Sequence, residues 1–175
     1  MALTPDLAKL VAQELARLTA VSDPDQIGSP PEERFDRITR LARSVFRVPV
    51  AEINILDDFR QYTKSPYVPG HPVYTDRTET FCDVTIQGDG ILVVPDAEKD
   101  PRFSTRGLVT GARRIRFYAG RPLVTADGHR VGTLCVVDTK PRTFSVVEHA
   151  LLDQLGQLVE RELGLDSDPD HLTKE

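Results

Sequence analysis

The chain has 175 residues, a net charge of −5 and 28% charged residues. That length suits one domain with extra terminal helices and a full hydrophobic core. The negative charge argues against nonspecific nucleic-acid binding and against an anionic membrane surface, since both need a cationic face. No apolar run approaches the ~20 residues of a membrane span, and the N-terminus carries no signal-type segment. Two widely spaced cysteines make neither a disulfide framework nor a zinc motif. These features point to a cytoplasmic, reduced protein.

Thr4–Leu18 predicts a first helix. Leu7, Leu10, Val11, Leu15 and Leu18 recur at three- and four-residue spacing and make one apolar face. Pro5 and Asp6 suit a helix start. Ser22–Pro31 is polar and proline-rich, a loop. Pro31–Phe46 predicts a second helix, with Phe35, Ile38, Leu41, Ala42, Val45 and Phe46 on its buried side. Val50–Leu56 reads as a strand, and Arg60–Lys64 as its hairpin partner across Asp57-Asp58. Ser65–Arg77 holds Pro66, Pro69, Gly70 and Pro72 and reads as a long loop, a kind that is often functional. Thr78–Ile86 fits a short helix with a hydroxyl cap. Ile91–Val94 is a short strand closed by Pro95, and short turns or helices follow at Asp100–Phe103 and Leu108-Val109.

Ile115–Asp138 predicts two strands about the turn Thr125-Ala126-Asp127-Gly128, because Asp-Gly readily takes the positive φ of tight hairpins. Gly120-Arg121-Pro122 interrupts the first strand, and Gly132 in the second marks a bulge or a close approach. Ser145–Leu163 is the last helix, with Ser145 and Glu148 as a capping box. Its stripe is Val147, Leu151, Leu155, Leu158 and Leu163, widened by Ala150, Leu152 and Val159, and Gly164 ends it. Asp166–Glu175 is a polar tail.

Hairpin connections make the sheet antiparallel. The long helices would cover one face and the insert between Ser65 and Gly111 the other, an α+β domain of three layers. The division is an N-terminal helix and linker over 1–30, the domain over 31–164, and a tail over 165–175.

Four blocks in order carry a resemblance: Phe81–Ile86 (FCDVTI), Leu92–Phe103 (LVVPDAEKDPRF), Ile115–Leu123 (IRFYAGRPL) and Gly132–Asp138 (GTLCVVD). With Asp57–Ser65 (DDFRQYTKS), they resemble the GAF domain, in particular the subgroup at the input end of bacterial sensor histidine kinases and diguanylate cyclases. The resemblance runs from about Phe35 to Leu163. It implies a PAS-related antiparallel sheet of about six strands, with a ligand pocket between the sheet and the insert.

Phe81, Cys82, Phe103, Phe117 and Cys135 are then pocket candidates, joined by Asn54, Ile86, Tyr118 and Thr133. Buried Phe and Cys also suit a plain core, and both readings stay open. Asp96 either caps the next turn or bonds a ligand. Arg116, clustered with Arg113 and Arg114, either meets an anionic ligand group or joins a salt-bridged surface. His71, His129, His149 and His171 show no metal spacing. The cyclic-nucleotide signature Asn-Lys-Phe-Asp-Glu and the bilin-binding block are absent. Free-methionine-sulfoxide reductases of this family have a cysteine near the position of Cys82, but the second cysteine expected within Asp100–Gly111 is missing.

The expectation is a noncatalytic sensory or regulatory domain, with no catalytic residue and no metal. It would bind an unidentified small molecule, its cofactor unknown, and form a homodimer through its terminal helices. Because no kinase, cyclase or DNA-binding segment follows Leu163, its output would be a downstream signalling protein in trans, or the chain is part of a longer one. The alternatives are an interaction module without ligand and a thiol-based reductase.

Overall fold

A computed structural model describes residues 4–21, 27, 29–66 and 74–165. The expected tail, most of the Ser22–Pro31 loop and positions 67–73 of the Ser65–Arg77 loop lie outside them. The elements run α1 (Pro5–Val21), α2 (Glu33–Phe46), β1 (Val50–Leu56), β2 (Arg60–Ser65), β3 (Tyr74–Asp76), α3 (Phe81–Gln87), β4 (Leu92–Val94), α4 (Gly107–Thr110), β5 (Phe117–Val124), β6 (Arg130–Asp138) and α5 (Val146–Glu162).

All six strands form one antiparallel sheet in the order β3-β2-β1-β6-β5-β4. β6 is central, and every second residue of it faces the same side. β3 falls inside the segment expected to be a loop. It is three residues long, pairs with β2 alone and shows no apolar alternation, so sequence pattern gave no sign of it. Gly120-Arg121-Pro122 does not interrupt β5. Pairing with β4 ends at Gly120, so Pro122 has a neighbour only on the β6 side, where it sits opposite Thr133. A proline is tolerated where one flank of the ladder is open. Gly132 marks a close approach: a Cβ there would lie 2.1 Å from the Asn54 carbonyl oxygen, and the β5–β6 register shifts beside it.

Residue parity divides the core into two. On one face Ala51, Ile53, Ile55, Ala119, Leu123 and Val136 meet Phe35, Ile38, Ala42 and Phe46 of α2 and Leu152 and Val159 of α5. α5 begins with the expected capping box, the Ser145 hydroxyl accepting from Glu148 N and the Glu148 carboxylate from Ser145 N. Arg121 of β5 reaches over Gly156 to pair with Asp153 and Glu160, fastening α5 to the sheet. On the other face Tyr118, Cys135 and Val137 meet Phe81, Cys82 and Ile86 of α3. Thr80 caps α3, its hydroxyl accepting from Asp83 N.

The helix stripes are wider than the surface they cover. On α2, Leu41 and Val45 are exposed, and on α5 so are Val147 and Leu158, although their spacing predicts burial. On α1, Leu7, Leu10, Val11 and Leu15 all face away from the domain, Leu10 and Leu15 being 62% and 60% exposed. What anchors α1 is Val21, which joins the core, and Arg17, whose guanidinium donates to the Leu56 and Asp57 carbonyls at 2.7 and 3.0 Å.

Candidate functional site

A cavity of about 200 Å³ lies between the sheet and the flap formed by α3 and residues 108–115. Its floor is Glu52 of β1, Gln61 of β2, Tyr118 of β5 and Cys135 and Val137 of β6. Phe81 and Cys82 at the start of α3, with Leu108 and Ile115, form the flap side, and Arg113, Asp138 and Thr139 also line the space. The Phe81 ring stacks on Tyr118 at 4.9 Å and on Phe103 at 4.4 Å. Such offset stacks add to area burial and fix the flap over the strands.

Cys82 is the centre of a small polar network in this apolar surround. Thr133 Oγ1 donates to its sulfur at 3.1 Å, and Tyr118 Oη lies 3.5 Å away. Asn54 Nδ2 is directed at Cys82 Sγ and Cys135 Sγ, 3.8 and 3.6 Å distant, while Asn54 Oδ1 accepts from Thr63 at 2.9 Å. Thr85 Oγ1 and Tyr118 Oη are hydrogen-bonded at 2.7 Å. Burial pushes the Cys82 thiol up, but hydrogen bonds from Cys135, Thr133 and Tyr118 outweigh it and hold the group below its ordinary range. The hydrogen bond with Cys82, and then burial, push Cys135 well above that range, and burial does the same to Tyr118. Both thiols are free.

The structure sorts the sequence candidates. Cys82, Cys135, Phe81 and Tyr118 line the cavity. Asn54 and Thr133 stand behind Cys82 as its partners, and Phe103 and Ile86 back the flap within the same core cluster. Phe117 does not belong to this site. It precedes Tyr118 on a strand, so it points to the opposite face, against Phe144 at 5.8 Å. Asp96 is a turn residue, accepting from Glu98 N at 3.3 Å and pairing with Lys99 at 3.0 Å. Arg116 is a strut. It donates to the Val109 and Ile115 carbonyls at 3.1 and 3.0 Å and pairs with Glu98 at 3.2 Å, which ties down the flap. Glu52 and Gln61 were not expected. Strand parity was the available signal, since Glu52 shares the face of Asn54, and Gln61 sits opposite Leu56. Among the described residues no cluster of His, Cys, Asp or Glu could hold a metal, and no helix is long and apolar enough to cross a membrane.

A second assembly lies behind the flap. Arg77 Nε pairs with Asp83 of α3 at 2.6 Å, and its Nη1 with Glu14 of α1 at 2.7 Å and with the Asp57 carbonyl at 3.0 Å. Glu14 also binds Arg17 at 2.8 Å. The Arg17 hydrogen bond, and then Arg77, hold the Glu14 carboxyl down to about 2 against the opposing effect of burial. One guanidinium thus joins the helix over the cavity to the N-terminal helix.

The chain thus has a six-stranded antiparallel sheet with long helices on one face and a flap over a cavity on the other. Residues 30–163 match the family model of the GAF domain, and the chain belongs to that family. It is 41% identical over 140 residues to the cyclic di-GMP phosphodiesterase PA2567 of Pseudomonas aeruginosa. The match takes in 77% of this chain but only 24% of that protein, so the chain spans about a quarter of its relative's length. Among solved structures, the GAF domain of an Acinetobacter phosphoenolpyruvate-protein phosphotransferase superposes with a TM-score of 0.63 at 16% identity, covering 95% of this chain and 97% of that one. The free methionine-R-sulfoxide reductase of Neisseria meningitidis, in complex with its substrate, gives 0.62 at 14% identity over 95% of each chain. At these identities the two structures share the fold.

Proposed function

We propose that this chain is a noncatalytic, cytoplasmic sensory module, with the GAF unit over 31–164 and a signalling helix before it. A small molecule enters the cavity under α3, and the resulting movement of α3 passes through Arg77 to α1. The observation that carries the reading is the Asp83–Arg77–Glu14 connection, which links the cavity's roof to a terminal helix whose apolar face is turned outward. That face would pair with a second copy, making α1 the output of a homodimer. The relative with 41% identity is named for cyclic di-GMP hydrolysis, so the inferred downstream partner is an enzyme of cyclic-dinucleotide signalling, in trans or in the same polypeptide.

The test is hydrogen exchange on the chain before and after titration with a metabolite library screened by thermal shift. A binding molecule raises apparent stability by mass action. Protection should change in α3 and α1 together, and Arg77→Gln should confine the change to α3. Binding that leaves α1 untouched in the unaltered chain would contradict the transmission route. No shift with any library member would favour an interaction module with an idle cavity.

A thiol reductase is the second reading, favoured by Cys135 lying in the same network as Cys82, with Asn54 Nδ2 directed at both sulfurs. The balance would be sulfoxide plus two thiols giving thioether, disulfide and water, with dithiothreitol restoring the thiols. Turnover of free methionine sulfoxide that Cys82→Ser abolishes would establish it.

A further inference from the structure

The chain is acidic overall, with a net charge of −5, but its charge is unevenly spread. Residues 43–50, 111–116 and 138–142 hold seven arginines and lysines and one acid, Asp138. The fold gathers these segments at one end of the sheet, where β1 and β5 begin and β6 ends. Contacts run across that end. Arg142 donates to the Phe46 and Arg47 carbonyls at 2.7 and 3.1 Å and pairs with Asp138 at 3.2 Å. Lys140 N donates to the same carboxylate at 3.2 Å, and Thr139 shares a surface hollow with Arg114. The one acid is therefore taken by Arg142, and Arg116 is engaged with Glu98. Among the described residues Arg43, Arg47, Arg114 and Lys140 are exposed and form no ion pair.

The backbone supplies a second observation. Arg47, with φ 52°, and Arg114, with φ 47°, are the two non-glycine residues, among those described, in the left-handed region. Arg47 ends α2 where glycine or asparagine is the usual residue. Both strained positions carry arginine and both lie on this end, so folding alone does not account for the choice of residue. Apolar side chains adjoin the cations. Val146 and Val147, 85% and 69% exposed, open α5 just after Arg142. A free phosphate or a nucleic-acid backbone makes no use of exposed valines, and the negative field of the whole chain opposes a long polyanion or an anionic membrane. Arginine beside apolar surface fits a protein interface instead.

We propose that this end of the domain docks an acidic segment of a partner protein. Its carboxylates take Arg43, Arg47, Arg114 and Lys140, for which the guanidinium fork is well shaped, and its apolar residues cover Val146 and Val147. The face lies at the opposite end of β1 from Leu56 and Asp57, where Arg17 fastens α1. It is therefore separate from the outward stripe of α1, and it needs no occupant in the cavity.

The experiment measures fluorescence anisotropy of a short labelled peptide, alternating glutamate with leucine, on the full chain. A glutamate–serine peptide of equal charge, a short single-stranded DNA and phosphatidylglycerol vesicles are the comparison probes. The glutamate–leucine peptide should bind, more tightly at low salt, and each comparison probe at least about tenfold more weakly. Arg47→Glu with Lys140→Glu should weaken the peptide by about tenfold or more, and Leu10→Glu with Leu15→Glu should leave it unchanged. Arg47→Gly with Arg114→Gly guards against misfolding. Glycine relaxes both left-handed positions, so the melting temperature should be no lower than the parent's while affinity falls about tenfold. No binding of the peptide, binding indifferent to charge reversal, or equal binding of the glutamate–serine peptide overturns the inference. So does a melting temperature lowered by the glycine pair with affinity kept, which would assign the arginines to the fold. Tighter binding of DNA or vesicles, lost on the same reversals, gives the face to nucleic acid or lipid and overturns the protein partner. A dimer that these reversals split gives it to a second copy and does the same.

Discussion

Tyr118 lies along its own strand over Gly120, so closely that a Cβ on Gly120 would come within 2.0 Å of Tyr118 Oη. The two residues share a face at a spacing of two, and the missing side chain of one makes the berth for the other. The berth aims the hydroxyl at Thr85 and Cys82. Gly120→Ala should therefore lift the ring into the cavity and break its stack with Phe81. Tyr118 is held by its stack with Phe81 and its hydrogen bond with Thr85, so the ring can move only by giving these up. The expected loss is ~1–3 kcal/mol, as for other overpacked core sites, read from denaturant unfolding. A variant as stable as the parent would show that the ring does not depend on the glycine.

The two thiols should react in a fixed order. Hydrogen bonds to its sulfur hold Cys82 below the ordinary thiol range, whereas Cys135 is pushed well above it. As pH rises, Cys82 ionises first and is the first to be alkylated. Pulses of iodoacetamide from neutral to alkaline pH, followed by peptide mass spectrometry, should find the label on Cys82 throughout and on Cys135 only at the alkaline end. Thr133→Val removes one of the donors and should raise the pH at which Cys82 labels. Labelling of Cys135 first would contradict the assigned network.

The sequence was most legible where a single pattern had a single reading. Ser145 and Glu148 marked the start of α5, and the apolar run after Gly132 marked the central strand. Legibility failed where side-chain direction decided the outcome. Phe117 and Tyr118 are both large and apolar, but adjacent strand residues face opposite sides, and only strand parity assigns them. Arg116 and Asp96 looked like ligand contacts because charge beside a pocket block is visible in a sequence, while the carbonyls and turn amides that engage them are not. Gln61 escaped notice because its place at the cavity follows from its pairing opposite Leu56 and not from its residue type. The leucines of α1 gave a sound helix but not its orientation, since a stripe says that a face is apolar and not what covers it.

Acid should loosen α1 before the rest of the domain. The folded carboxyl of Glu14 is held down to about 2, below its ordinary value of 4.5. A depressed carboxylate contributes stability that is fully present above the unfolded pKa and fades as pH falls through the folded one. The window is thus from about 4.5 down to about 2. Because the Glu14 side chain is 41% exposed, solvent screening keeps the effect small, below ~1 kcal/mol. Glu14→Gln should lower stability near neutral pH by that amount, and the gap from the parent should close toward pH 3. A gap that is constant across this range would assign the loss to packing instead of charge.

The outward face of α1 supplies the last expectation. Leu7, Leu10, Val11 and Leu15 are exposed along one stripe, a larger apolar surface than scattered surface leucines present. If a second copy covers it, the chain should elute at twice its mass in light scattering, and Leu10→Glu with Leu15→Glu should give the single-chain mass. Neither leucine is buried within the chain, so the pair of substitutions should leave the monomer's fold and circular dichroism unchanged. Loss of dimer mass with the spectrum retained places the interface on this helix. A parent chain that stays at single mass as concentration rises removes the homodimer. The stripe would then belong to another partner, and signal leaving Arg77 through α1 would have to act on that partner directly.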